Sequence, residues 1–422
     1  MAGEGAGVPD TGGAPVVIVG ASHAGVQTAA SLRQEGFSGR IVLIGDEAVL
    51  PYQKPPLSKA FIKEGVEDRL ILRAEDFYPK SGIERIDGRV TRIDRAHREV
   101  ELEDGRRVGY GHLVLAVGAQ NRIPPLPGIA LDGVIDLRTL ADAARLRAAL
   151  HAASAVAVIG GGFIGLEVAA TAATLGRPVA VLEAMNRLMA RTLSPQMSEH
   201  FLKAHRRFGV DVHLGTRAVA IEADAAGRAK GVRLEEGGFV PGDLVLVAVG
   251  VGPNMALAAE AGLETADGIV VDENLLTSDP VISAIGDCAA FPHRSSGAHL
   301  RLESVQNAVD QAKCVARRLV GTPAAYDALA WFWSDQGDQK LQIAGLTQGA
   351  DRYVAHPSDD GQQMTVMAFR DDALIGVETA NAAADHMAAR KLLAAEHPVH
   401  LADIEAAGYD LRKLMRSGAI PR

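Results

Sequence analysis

At 422 residues the chain has room for two or three domains of roughly 150 residues, each with its own core. Its 48% hydrophobic and 23% charged residues exclude a mainly disordered chain, and no apolar run nears the roughly 18 residues of a membrane span. The formal charge of −9, from 43 basic and 52 acidic residues, argues against nucleic acid or anionic lipid as the main partner.

The first segment, Met1 to Pro15, carries five glycines, two acids and no basic residue. It reads as a flexible tail rather than a signal or transit peptide, so a cytoplasmic protein is expected. Pro15–Gly20 (PVVIVG) is then a short apolar run. Gly20 and Gly25 bracket Ser22, His23 and Ala24, and a helical pattern continues to about Gln34. A second strand, Arg40–Gly45, ends at Asp46. After a hairpin at Glu103–Gly105 comes the apolar run Leu113–Gly118.

From Ala155 the plan recurs. AVAVIG leads to Gly160, Gly162, Phe163, Ile164 and Gly165, a helix to about Leu175, and a strand ending at Glu183. A hairpin at Glu235–Gly238 precedes Leu244–Gly250. Gly20 to Gly118 spans 98 residues and Gly160 to Gly250 spans 90. Each copy is a strand, a glycine turn, a helix and a parallel strand, the βαβ unit of a dinucleotide-binding fold. One glycine motif alone is weak; two copies of one layout are strong.

Each glycine of the second copy has its own reason. Gly160 permits the tight turn, Gly162 lets the backbone approach a pyrophosphate, and Gly165 lets helix and strand pack closely. The helix start offers free N–H groups and a positive dipole end to phosphate. In the first copy Ser22 replaces the middle glycine, so a pyrophosphate must sit further out or bond the hydroxyl. Asp46 lies 21 residues after Gly25 and Glu183 lies 18 after Gly165, near the spacing of a ribose-binding acid. A carboxylate at 183 repels a 2′-phosphate and predicts NADH over NADPH. Arg187 and Arg191 stand nearby, and either can swing toward a phosphate.

The two cysteines, Cys288 and Cys314, lie 26 residues apart and form neither a CxxC pair nor a cluster ligand set. None of the 13 histidines shows ligand spacing, and no metal is assigned. Any electron carrier is therefore an organic cofactor. Beyond about residue 326, apolar segments (Leu341–Leu346, Met364–Phe369), the Asp371–Asp372 turn and a helical run from Asn381 to Ala394 read as a small α+β domain. Arg390, Lys391, Arg412, Lys413 and Arg416 gather there. They either steer an acidic partner or are solvated helix faces.

The stretches PYQKPPLSKAFI, VIGGGFIGLEVAA, LTSDPVISAIGDCAA, RLESVQNAVDQA and AWFWSDQGDQKLQIAG, with the first glycine turn, carry a resemblance. The chain resembles the FAD-dependent, NADH-using ferredoxin reductases of oxygenase systems, the putidaredoxin and rhodocoxin reductase family, over residues 16 to about 346. The resemblance implies an α/β fold with two Rossmann-like domains in the glutathione-reductase manner and a C-terminal α+β domain. FAD is expected in 16–119 with 251–325, NADH in 120–250, and the last domain over 326–422. It implies an enzyme passing electrons from NADH through FAD to a 2Fe–2S ferredoxin that feeds a cytochrome P450 monooxygenase or a ring-hydroxylating dioxygenase. A monomer is expected.

By the same resemblance Asp287 binds the flavin ribityl chain, and Val305 with Gln306 lies at its pyrimidine end. Arg122 lies beside the adenosine, although Gln120 and Asn121 depart from the usual Arg-Pro. Trp333, on one strand face with Trp331, sits at the flavin edge. Lys59 approaches flavin N5 and pairs with Glu167. On the residues alone, an exposed lysine and a helix-start glutamate favoured by the dipole account for that pair. Two other readings stay open. A thiol-based NADH oxidase or reductase needs a cysteine in 40–65, where there is none. A signalling flavoprotein like apoptosis-inducing factor needs a targeting segment and a basic surface.

Overall fold

The computed structural model describes residues 13–293 and 298–417. The flexible-tail reading of residues 1–15 therefore falls, for residues 1–12, outside the described residues. The chain divides into two compact units: Met1–Gln53, Glu67–Gln120 and Val251–Ala328 form one, and Lys54–Val66, Asn121–Gly250 and Leu329–Arg422 the other. Residues 54–66, which sequence placed with the first nucleotide region, group with the second unit.

The first unit is built on a parallel sheet in the spatial order Ile282–Ala284, His112–Leu115, Val16–Val19, Ile41–Gly45, Ile83–Asp87. Val16, Val17 and Ile18 are fully buried, as are Leu113 to Leu115. Such burial on both faces is why these strands read as unbroken apolar runs instead of alternating ones. Burying each of these side chains contributes about 1.5–3 kcal/mol. Helix His23–Gln34 packs along helix Val305–Leu319. An antiparallel meander, Val90–Asp94, Glu99–Leu102 and Arg107–Gly109, separates the third and fourth strands in sequence.

The second unit repeats this plan. Its parallel sheet runs Val210–Leu214, Val179–Glu183, Val156–Ile159, Leu244–Val247, Val134–Asp136. Its own meander is Ala218–Ala223, Ala229–Leu234 and Phe239–Pro241. One detail differs. The outer strand beside the fourth comes from later in the chain in the first unit and from earlier in the second.

The same unit holds a five-stranded antiparallel sheet, ordered Trp331–Gln336, Gln339–Gly345, Ala373–Ala380, Met364–Arg370, Arg352–Pro357. Helices Ala383–Leu393 and Leu411–Ser417 cover it around Met367, Phe369, Val377, Ala388 and Leu392. Asp371 and Asp372 have φ of 49° and 59°, the paired left-handed residues of a tight hairpin. Glu378 ties this sheet to helix Pro195–Arg207. It is fully buried, and its carboxylate accepts from Ser194 N at 2.9 Å, Ser194 Oγ at 2.5 Å and Thr347 Oγ1 at 3.1 Å. Burial pushes its carboxyl up from the ordinary range, and these donors oppose the shift.

Candidate active site

Both glycine turns are set by the backbone they must clear. Gly20 has φ +110°, and a Cβ there would lie 2.2 Å from Ala116 O. Gly160 has φ +112°, and its Cβ would lie 2.4 Å from Ala248 O, the equivalent place in the other sheet. Gly25 and Gly165 sit on the following helices, where a Cβ would meet the carbonyls of Gly20 at 1.8 Å and Gly160 at 2.3 Å. Gly162 is different: a Cβ there meets nothing within 4 Å. The protein itself does not require that glycine. The open space is what a pyrophosphate at the helix start would use.

The helices after these turns begin without a side-chain cap, as several shorter helices of the chain also do. Helices Leu140–Ala152, Pro195–Arg207 and Val305–Leu319 are each closed by a hydroxyl, from Thr139, Ser194 and Ser304, that accepts a first-turn N–H. Helices His23–Gln34 and Phe163–Thr174 have no such bond, even though Ser22 stands at the N-cap of the first. Ser22 and His23 are half-buried, Ala24 and Gly25 buried, Phe163 half-buried and Ile164 exposed. A positive dipole end at each helix start, with open space at Gly162 in the second, suits a dinucleotide in each turn.

The strand-end acids are held differently. Asp46 is exposed, whereas Glu183 is half-buried and braced by two backbone amides. Gly161 N donates to its Oε2 and Met185 N to its Oε1, each at 2.7 Å. Each oxygen keeps a lone pair for a ribose hydroxyl. The two arginines left open by the sequence separate here. Arg187 is spent on the framework, donating to Leu193 O, Ser198 Oγ and Ala190 O at 2.5–2.9 Å. Arg191 is exposed, with its guanidinium beside Gly250 at the end of strand Leu244–Val247. Arg122 is exposed as well, and its backbone N–H bonds Gly250 O at 2.9 Å.

In the first unit, Asp287 lies in the turn Gly286–Cys288. Gly286 has φ +75°, its N–H donates to Gln311 Oε1 at 2.7 Å, and a Cβ there would lie 3.3 Å from Ala24 Cβ. That close packing brings the Asp287 turn to the start of helix His23–Gln34. Val305 opens helix Val305–Leu319 in the same unit.

Lys59 and Glu167 meet in the second unit. The turn Pro55–Ser58 presents Lys59, whose Nζ lies 2.9 Å from Glu167 Oε1. Their side chains are 18% and 6% exposed. Burial pushes the Glu167 carboxyl up from its ordinary range, opposed first by the Lys59 charge and then by hydrogen bonds from Ser334 and Ser58. The Ser334 Oγ donates to Oε1 at 2.5 Å, and the Ser58 hydroxyl donates to Oε2. Neither serine was visible as a partner in the sequence. Ser334 carried one signal: it alternates with Trp331 and Trp333 and so faces away from them. The two tryptophan rings lie 5.5 Å apart, half-exposed, with Arg390 4.5 Å over Trp331. Phe332, on the other face, packs on Phe163 at 4.7 Å.

Among the described residues no group of three or more histidines, cysteines or acids is placed to hold a metal ion. Cys288 and Cys314 are free and buried, and burial pushes the Cys288 thiol up to about 11. Neither can supply an exposed thiolate. Among the described residues no helix is long and apolar enough to cross a membrane.

Residues 14–312 match the pyridine nucleotide-disulphide oxidoreductase family, and residues 331–415 match the reductase C-terminal family. The chain belongs to the pyridine nucleotide-disulphide oxidoreductase family. It is 48% identical over 399 residues to rhodocoxin reductase of Rhodococcus erythropolis, covering 94% of this chain and 93% of that one. Putidaredoxin reductase of Pseudomonas putida is 38% identical over 390 residues, 91% and 92% of the two chains. Among solved structures, a ferredoxin reductase from Rhodopseudomonas palustris superposes with a TM-score of 0.92 at 48% identity, covering 94% of this chain and 99% of that chain. The covalent putidaredoxin reductase–putidaredoxin complex gives 0.91 at 36% identity, covering 96% and 98%.

Proposed function

We propose that this chain is an NADH:ferredoxin oxidoreductase, an FAD flavoprotein passing electrons from NADH to a 2Fe–2S ferredoxin that supplies a P450 monooxygenase or a ring-hydroxylating dioxygenase. The observation that carries the reading is the dinucleotide layout found once in each unit, a glycine turn forced by the protein's own carbonyls that leads from the central parallel strand into a helix. The relatives are named as reductases of redox partners, and one was solved bound to its own.

In this reading residues 16–119 and 251–325 hold FAD, with Gly20, Ser22 and Gly25 at the pyrophosphate, Asp46 at the ribose and Asp287 at the ribityl chain. Val305, Arg122 and Trp333 complete that set. Residues 120–250 hold NADH through Gly160, Gly162, Gly165 and Glu183, with Arg191 at the rim, and 326–422 form the C-terminal domain. The chemistry that bound FAD supplies is acceptance of a hydride from NADH and release of electrons singly. The chain's own part is to position and to tune. Lys59 places a positive charge that orients the ring and favours negative charge on it, and Glu167 fixes the lysine. The protein acts as a monomer in the cytoplasm.

NADH-driven reduction of a panel of purified ferredoxins, with cytochrome c as final acceptor, tests the reading. At least one ferredoxin should raise NADH turnover well above the rate of oxygen uptake. Turnover that is wholly accounted for by oxygen, with every ferredoxin, contradicts it and returns the oxidase reading.

A further inference from the structure

Behind Glu167 the hydrogen bonds continue into the C-terminal sheet. Ser334 and Gln336 lie on the same face of strand Trp331–Gln336, and both are fully buried. Polar side chains alternating on a buried strand face need a reason, because each must find a partner or cost stability.

The partners come in a fixed order. Ser334 spends its one proton on Glu167 Oε1, so its remaining role is to accept. Gln336 Nε2 supplies that bond at 3.2 Å and also faces Met189 Sδ at 3.5 Å. This turns Gln336 Oε1 toward His205, whose Nε2 lies 2.8 Å away and must be the donor. The imidazole is therefore the Nε2–H tautomer with a bare Nδ1, and that buried Nδ1 has no hydrogen-bond partner. Burial holds the ring neutral, with its pKa pushed down to about 4. A second strut, His200 Nε2 to Gln339 Oε1 at 2.8 Å, fixes the same hairpin to the same helix. Every donor in the series points one way, toward the carboxylate.

We propose that Ser334 and Gln336 are positioning residues: backed by His205, they form a one-way chain of donors that keeps Glu167 ionised and so holds Lys59 where the reaction needs it. The proposal rests on the reading that Lys59 serves the flavin. It gives the C-terminal sheet a part in setting the charge of the site, beyond covering it. Donor chains of this kind polarise one another, so the bond at Glu167 is stronger than an isolated serine would give. Lys59 is the charged group that acts on Glu167; Ser58 and Ser334 are its neutral donors.

Infrared difference spectra of the purified holoprotein, recorded across a pH titration, follow the carboxylic-acid band of Glu167, assigned by its loss in Glu167→Gln. Ser334→Ala should move the protonation midpoint upward by about one to two pH units, the usual worth of a hydrogen bond to a charged group. Gln336→Met, which removes the amide at similar volume, should move it in the same direction by less. Ser334→Thr keeps the hydroxyl and should restore the original midpoint. Unchanged midpoints in both Ser334→Ala and Gln336→Met overturn the proposal, and so does an equal shift in Ser334→Thr. If Ser334→Ala fails to fold, Gln336→Met decides alone. The titration needs neither NADH nor ferredoxin. A loss of ferredoxin reduction with an intact chain would fault the proposed function and leave this inference standing.

Discussion

The turn at Gly20–Gly25 and the turn at Gly160–Gly165 share a frame yet treat the ligand side differently. In both, the outer glycines are required by the protein's own carbonyls, at 1.8–2.4 Å from a hypothetical Cβ. The middle position is free to differ, and it does: Ser22 in one, an unobstructed Gly162 in the other. The acids differ too, with Asp46 exposed and Glu183 braced by Gly161 and Met185. The constant positions are required by the fold, and the variable ones are those the proposed function gives to the dinucleotide. The second turn is the one held ready, with a preset carboxylate and a bare approach, as suits a substrate that comes and goes.

That division can be broken by exchanging one kind of glycine for the other. Gly160→Ala forces a Cβ against Ala248 O at φ +112° and should cost several kcal/mol, read as a large drop in Tm. Gly162→Ala should leave the unfolding free energy within about 1 kcal/mol of the parent while raising the KM for NADH roughly tenfold. Equal losses of stability would erase the distinction.

Lys59→Met leaves Glu167 buried without its charge partner, and hydride transfer in stopped flow should slow by about ten- to a hundred-fold. Unchanged flavin reduction and potential would remove Lys59 from the mechanism. Glu183→Ala should lower the NADH-to-NADPH ratio of kcat/KM by about tenfold, with Arg191 left to meet a 2′-phosphate. A parent enzyme equally efficient with both would count against Glu183 as the discriminator.

The last effect concerns pH and leaves the reaction untouched. His205 has a folded pKa of about 4, below its unfolded 6.5, so between these values the unfolded chain binds more protons. Stability from the neutral ring is present above pH 6.5 and lost as pH falls toward 4. His205→Asn should flatten the curve of denaturation free energy in that window by up to about 1.4 kcal/mol per pH unit. An unaltered slope would show that the ring is not held neutral.

The glycine turns, strand runs and the hairpins at Glu103–Gly105 and Glu235–Gly238 were legible because each is local: parallel strands buried on both faces are continuous apolar runs, and a left-handed turn needs glycine. The third strand that makes each hairpin a meander was not read. Nor were the buried polar groups. Ser58 and Glu167 are 109 residues apart, Glu167 and Ser334 167, and Ser194 and Glu378 184. A lone serine or glutamate gives no sign of a partner so distant. Lys59 and Glu167 stood out only through resemblance, since each also suits a solvated loop or a helix start. That segment 54–66 packs with the second unit was equally hidden, because its apolar Leu57, Phe61 and Ile62 suit either core.

Anaerobic mixing of the purified protein with NADH, followed by ferredoxin, tests the central claim most directly. The protein should be yellow with one FAD per chain, bleached by one equivalent of NADH and recoloured by two equivalents of oxidised 2Fe–2S ferredoxin. A colourless protein that takes up no FAD, or a bleached one that no ferredoxin restores, would contradict it.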